Sequence, residues 1–126
     1  MKNDSDFLFG NLTKIIINSA NAVYSELGYG HPEKVYQKAI ELELNQKKIS
    51  FCREVYSKVK YDGMVVGKYF LDFLVESKVA VEIKVRREIY ESDWIQLLNY
   101  LKANNLKVGL LIVFMKYGVK VKRIMN

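Results

Sequence analysis

Val108 to Phe114 reads Val-Gly-Leu-Leu-Ile-Val-Phe, an unbroken apolar run of strand length. It is far shorter than the roughly 20 residues that a membrane-spanning helix needs, and no apolar run elsewhere in the chain is longer. Such a run is the pattern of a strand covered on both faces, as in a parallel sheet packed between layers. The segments before it supply candidates for those layers. Leu8, Leu12, Ile15, Ile16, Ala20, Val23 and Leu27 recur at three- and four-residue steps and predict a helix from Asp6 to Leu27, stopped at Gly28-Tyr29-Gly30. Pro32 suits the first turn of a second helix that runs to about Lys48, with Val35, Tyr36, Ala39, Ile40 and Leu44 as its apolar stripe.

Strands are expected next. Glu54 to Tyr61 alternates in part, Asp62-Gly63 is a hairpin turn signal, and Val65 to Val75 is a long strand bulged or broken near Gly67. A short turn at Glu76-Ser77-Lys78 leads into a strand from Val79 to Val85. Ser92 is placed to cap a third helix ending near Asn105, and Val119 to Ile124 follows the Gly118 turn as the last strand. The strands on either side of the third helix are set to pair in parallel across a crossover. The expected fold is therefore α/β in the order ααβββαββ, one domain spanning residues 1–126.

Composition narrows the function classes. Half the residues are hydrophobic and 13% are aromatic, enough for a core, so disorder is not expected. Cys52 is the one cysteine, which rules out an internal disulfide and a thiolate zinc site; a small hydrophobe near a strand start is the expectation. The Met1 to Asp6 segment is polar and acidic with no secretory core behind it, so a cytoplasmic location with no membrane partner is expected. A net charge of +6 suits a phosphate-rich partner or an ordinary solvated basic face, with density at Lys47-Lys48, Lys84 to Arg87 and Lys116 to Arg123.

Asp72 is a lone charge inside Phe70-Leu71-Asp72-Phe73-Leu74-Val75. In Val79 to Val85 the period of two puts Ala80, Glu82 and Lys84 on one face. Joining the strands by a turn centred on Ser77 sets Val75 against Val79, Asp72 against Glu82 and Phe70 against Lys84. A one-residue slip would set the apolar faces against each other. Opposed carboxylates on one face repel, and a hard divalent cation would offset that cost, because Mg²⁺ takes one or two carboxylates plus waters. Lys84, on the same face, could orient a water or stabilise charge on a phosphodiester. The competing reading is a half-exposed strand carrying a Glu-Lys pair.

Gly30-His31-Pro32-Glu33-Lys34-Val35-Tyr36 has the form GxxExxY. It is followed by Asp72, then Glu82-Ile83-Lys84, then Gln96 to Leu101 and Val108 to Ile112. Together, from about Leu12 to Ile124, these segments resemble the GxxExxY family, a branch of the PD-(D/E)XK nuclease superfamily. The resemblance implies a restriction-endonuclease-like core, a central mixed sheet of about five strands flanked by about three helices. It implies Asp72, Glu82 and the Ile83 carbonyl as ligands of Mg²⁺ or Mn²⁺, with Lys84, Glu33 and Gln96 as catalytic residues. Gln96 and Tyr100 resemble a QxxxY element on one helical face; Tyr36, Arg86, Arg87 and Tyr100 are the expected substrate contacts. Two positions depart from the family pattern, Tyr24 where a histidine is common and Tyr29 where a proline is common. The expected function is metal-dependent hydrolysis of nucleic-acid phosphodiesters, DNA before RNA. The alternative is a catalytically silent nucleic-acid-binding or assembly module of the same fold. The small size points to a homodimer or a larger nucleic-acid-processing partner.

Overall fold

The computed structural model describes residues 8–126; Asp6, the expected start of the first helix, and the acidic Met1 to Asp6 segment lie outside them. Eight elements follow one another: α1 Gly10–Leu27, α2 Glu33–Gln46, β1 Phe51–Tyr61, β2 Met64–Val75, β3 Val79–Val85, α3 Glu91–Ala103, β4 Val108–Met115 and β5 Gly118–Met125. The order ααβββαββ is the expected one. The strands form one mixed sheet in the order β1-β2-β3-β4-β5, with β3 and β4 parallel and every other neighbour antiparallel.

β4 is buried along Val108 to Phe114, as its unbroken apolar sequence requires. Val108, Leu110, Ile112 and Phe114 pack with Ile16 and Ala20 of α1 and Tyr36, Ile40 and Leu44 of α2. Leu111 and Val113 turn to the opposite face and pack with Leu97 and Leu101 of α3. Gly109 lets α3 approach, since a Cβ there would sit 3.1 Å from two Leu97 side-chain atoms. The sheet is thus a central layer between α1/α2 and α3, and no helix among the described residues is long and apolar enough to cross a membrane.

Three boundaries differ from the sequence reading. α1 begins at Gly10, because Phe9 takes a left-handed backbone (φ 55°) and leaves Leu8 outside the helix, 47% exposed. α3 begins at Glu91 with Tyr90 at its N-cap, and no side chain caps it. Ser92 therefore lies within the first turn, where Glu91 and Asp93 supply negative charge to the helix dipole. β1 starts three residues before Glu54, because Phe51, Cys52 and Arg53 pair with Val75, Leu74 and Phe73. Cys52 stands at the strand start but is exposed.

β1 and β2 form a long hairpin with two irregularities. Near its tip the register shifts between Val59 and Lys60, opposite the Val65–Gly67 stretch, which is the bulge expected near Gly67. Nearer its base the alternation reverses. Phe73 packs on the α1/α2 side, while Leu71, two residues earlier, packs on the α3 side with Leu97 and Leu101. The partner strand does the same, with Phe51 on the α1/α2 side and Val55 on the α3 side, and Glu54 between them at φ 50°. The face switch on β2 falls at Asp72.

Candidate active site

The turn at Glu76-Ser77 (φ 53° and 56°) sets the register of β2 against β3 as counted from sequence: Val75 with Val79, Leu74 with Ala80, Phe73 with Val81. Pairing then ends. Asp72 and Glu82 do not form a rung, and Phe70 does not face Lys84 but pairs with Tyr56 of β1, half exposed. The cause is the face switch, which turns β2 away from β3 at Asp72. In place of a rung, the two carboxylates and the backbone bond crosswise. The Ile83 N–H donates to Asp72 Oδ2 at 2.8 Å, and the Asp72 N–H donates to Glu82 Oε1 at 3.1 Å.

The result is a pair of carboxylates at the point where two strands diverge. Glu82 is 4% exposed. Burial, and next the charge of Asp72, push its pKa up to about 7. Burial likewise raises Asp72, although the Ile83 amide and the Lys84 charge oppose it. Removing ionised carboxylates from water is costly unless charge compensates, and the cations here compensate only in part. Lys84 Nζ stands 4.0 Å from Glu82 Oε2, and Arg53 donates to the Asp72 backbone carbonyl at 3.0 Å.

α2 closes one side. Gln37 Nε2 donates to Asp72 Oδ1 at 3.2 Å and lies 3.4 Å from Glu33 Oε1, one helical turn back. Glu33 is half-buried, and burial raises its pKa while Lys84 opposes the rise. On the α3 side the Tyr69 hydroxyl donates to Glu82 Oε2 at 2.9 Å, and its ring lies 5.5 Å from that of Tyr100. Burial, with Glu82 beside it, raises the Tyr69 pKa and keeps the hydroxyl protonated as a donor.

The structure brings together Glu33, Asp72, Glu82, Ile83 and Lys84. Gln96 is exposed and reaches this group only through a shared cavity wall with Tyr69 and Tyr100. Arg87 is exposed and lines a separate cavity of about 450 Å³ with Lys116 and Lys120. One expected substrate contact is corrected, and a second, Arg86, is engaged within the protein. Tyr36 is fully buried, stacks on Phe114 at 4.3 Å and donates its hydroxyl to the Gly28 carbonyl at 2.6 Å, so it is a core residue. Arg86 is held by both oxygens of buried Asp93, at 3.1 Å each, and ties the end of β3 to the first turn of α3. Of the departures from the family pattern, Tyr24 donates to the carbonyls of Met115 and Lys116, which fastens the β4–β5 turn.

Gln37, Arg53, Tyr69 and Asp93 escaped the sequence reading. Gln37 carried a usable signal, four residues after Glu33 and hence on the same helical face. Tyr69 carried none, because simple alternation does not foresee its turn toward Glu82.

A divalent cation suits the donor set: two desolvated carboxylates that raise each other's cost, oxygen ligands throughout, and no soft ligand. In an extended strand a residue's N–H and C=O project to the same side, so the Ile83 carbonyl faces the β2 edge with its amide. Among the described residues no group of three or more His, Cys, Asp or Glu is spaced to hold a metal, so waters would complete the shell, as Mg²⁺ prefers.

Comparison with known proteins agrees with this geometry at the level of fold and family. The crystal structure of SSO0001 superposes with a TM-score of 0.58 over 94% of this chain, at 19% identity. That likeness is one of fold, and the match spans 59% of the SSO0001 chain. No curated protein matches the sequence. The family model of the PD-(D/E)XK nuclease superfamily matches residues 10–124. The chain belongs to that superfamily.

Proposed function

We propose that this protein is a metal-dependent nuclease that hydrolyses phosphodiester bonds, DNA in preference to RNA, with Mg²⁺ or Mn²⁺ as cofactor. The observation that carries the reading is the crosswise-bonded pair of Asp72 and Glu82, buried at the divergence of β2 and β3 with Lys84 beside it. Asp72, Glu82 and the Ile83 carbonyl would hold the cation. When bound it lowers the pKa of water and neutralises charge on the phosphodiester. Lys84 stabilises charge developing on the phosphate oxygens. Glu33, with burial favouring its protonated form, is set to exchange a proton with an attacking water or a leaving oxygen. Gln37 holds Asp72 in its orientation by hydrogen bonding. The Gly30 to Tyr36 segment supports the finer placement in the GxxExxY branch.

The direct test incubates wild type, Asp72→Asn and Lys84→Met with single-stranded and duplex DNA and RNA, in Mg²⁺, Mn²⁺ or EDTA. The reading expects metal-dependent cleavage by wild type and a loss of at least about a thousandfold in both variants, about 4 kcal/mol of transition-state stabilisation. Equal cleavage by Asp72→Asn, or none by wild type with either metal, contradicts it.

One observation favours self-association or a larger partner beside this activity. The hairpin tip exposes Tyr61 at 75%, Met64 at 69% and Val66 at 64%. Clustered apolar exposure of this kind marks interaction sites. Light scattering on the full chain distinguishes a dimer from a monomer.

A further inference from the structure

The β1–β2 ladder runs from the Arg53–Phe73 rung straight to Val55–Leu71, so Glu54 and Asp72 have no ladder partner. Asp72 therefore depends on other bonds for its aim, and Arg53 supplies them. Its guanidinium lies over the Phe73 ring at 4.4 Å, and each of its nitrogens meets a different acceptor. Nε donates to the Asp72 carbonyl at 3.0 Å, and one terminal nitrogen donates to Gln37 Oε1 at 3.3 Å. The other terminal nitrogen stands 3.6 Å from Glu41 Oε2. Gln37 passes this grip to the carboxylate. Glu33, Gln37 and Glu41 follow at four-residue steps on one face of α2. A guanidinium has only donors and an ionised carboxylate only acceptors, so the Gln37 amide serves both neighbours in one orientation alone. Its oxygen takes the Arg53 bond, which turns its NH₂ to Asp72 Oδ1 at 3.2 Å and Glu33 Oε1 at 3.4 Å. A flipped amide would set its oxygen against the Asp72 carboxylate.

Resting on the metal-dependent reading above, we infer that Arg53 is a positioning residue of the site. It fixes Asp72 at both ends, the backbone carbonyl directly and the carboxylate through Gln37. It thereby sets the aim of that carboxylate toward the cation that Asp72 and Glu82 would hold. Charge alone does not make this role. The planar fork reaches three acceptors at fixed angles, which a lysine ammonium on its flexible stem does not reproduce. Removing an outer partner of this kind lowers metal affinity about 10–100-fold.

The Ile83 N–H gives a readout that needs neither metal nor substrate, because Asp72 Oδ2 accepts it at 2.8 Å. Its hydrogen exchange is followed by NMR on the full chain in EDTA, with the Leu110 and Ile112 amides of buried β4 as references. Arg53→Met should speed exchange at Ile83 by at least about tenfold while the references hold. Arg53→Lys, which keeps the charge, should still speed it by at least about threefold. Lys60→Ala removes an exposed charge from β1 and none of these bonds, and should leave it unchanged. Calorimetric titration with Mn²⁺ is the second readout. Arg53→Met should weaken Mn²⁺ binding by at least about tenfold, and Gln37→Met by at least about threefold. The double variant should lie within about twofold of Arg53→Met alone, short of the product of the two, because the residues act in series. Thermal melts establish folding; Arg53→Lys and Gln37→Met carry the test if Arg53→Met does not fold.

Unchanged Ile83 exchange in folded Arg53→Met overturns the inference. So does wild-type behaviour of Arg53→Lys, or an effect on Mn²⁺ binding in the double variant equal to the product of the single ones. Both readouts are independent of cleavage. Absence of Mn²⁺ binding by wild type refutes the metal-dependent reading alone, and Ile83 exchange still decides the role of Arg53. Mn²⁺ binding by wild type with unaltered Ile83 exchange in the variants refutes the role of Arg53 alone.

Discussion

β3–β4 and β1–β2 are neighbouring strand pairs of one sheet, and they solve opposite problems. Val79 to Glu82 of β3 and Val108 to Phe114 of β4 are buried under helices on both faces. The outer β1–β2 hairpin leaves Tyr56, Val59, Tyr61, Met64, Val65, Val66 and Phe70 exposed. The first pair is a rigid, dry platform on which a carboxylate such as Glu82 is expensive to ionise. The second is a projecting arm with lysines and uncovered apolar residues. The carboxylates lie at the junction, where β2 leaves β3 after three rungs. Burial thus comes from one region and access from the other.

The contrast can be broken by substitution, and the largest effect belongs to the platform. Phe114→Ala removes the ring that stacks on both Tyr24 and Tyr36 and should cost about 3–5 kcal/mol in urea unfolding. A loss under 1 kcal/mol would mean that β4 is not the fixed centre. Gly109→Ala should cost about 1–3 kcal/mol by forcing Leu97 and Leu101 off α3's close approach. The third effect depends on pH. Glu82 has a folded pKa near 7, above its unfolded value, so its protonated form is the one that folding favours. Its contribution is fully present below the unfolded pKa, about 4.3, and is lost as pH rises through about 7. Asp72 is shifted in the same direction. In EDTA, Tm should therefore fall by a few degrees between pH 5 and pH 8, since about 1 kcal/mol moves a domain of this size by several degrees. Glu82→Gln should flatten that fall, and a slope identical to wild type would show that Glu82 is not its source. The smallest effect belongs to the arm: Val66→Thr, exposed at the hairpin tip, should change stability by less than about 0.5 kcal/mol. A larger loss by the same unfolding measurement would mean that the tip is packed against a second copy.

The division between what sequence discloses and what it hides follows the same junction. The apolar run of β4, the crossover through α3 and the Ser77-centred register are local or periodic features, and each appears as expected from its residues. The family model, too, matches along nearly the whole chain, residues 10–124. The sequence pattern assumes that alternation continues, however, and at Glu54 and Asp72 it does not. Nothing in Phe70-Leu71-Asp72-Phe73 announces that Leu71 and Phe73 pack on opposite sides of the sheet. The expected rung between Asp72 and Glu82 became carboxylate-to-amide bonds for that reason, and Tyr69 arrived beside Glu82 for the same reason. Tyr36 misled differently: its motif spacing suggested a contact surface, but its position on the apolar stripe of α2 placed it in the core.

The central claim is that Asp72 and Glu82, drawn together where β2 parts from β3, form a divalent-cation site. Anomalous diffraction from a crystal soaked in Mn²⁺ tests it most directly. The account predicts a peak within coordination distance of both carboxylates and the Ile83 carbonyl, absent in Asp72→Asn. A peak elsewhere, or none at a Mn²⁺ concentration that supports cleavage, would contradict it.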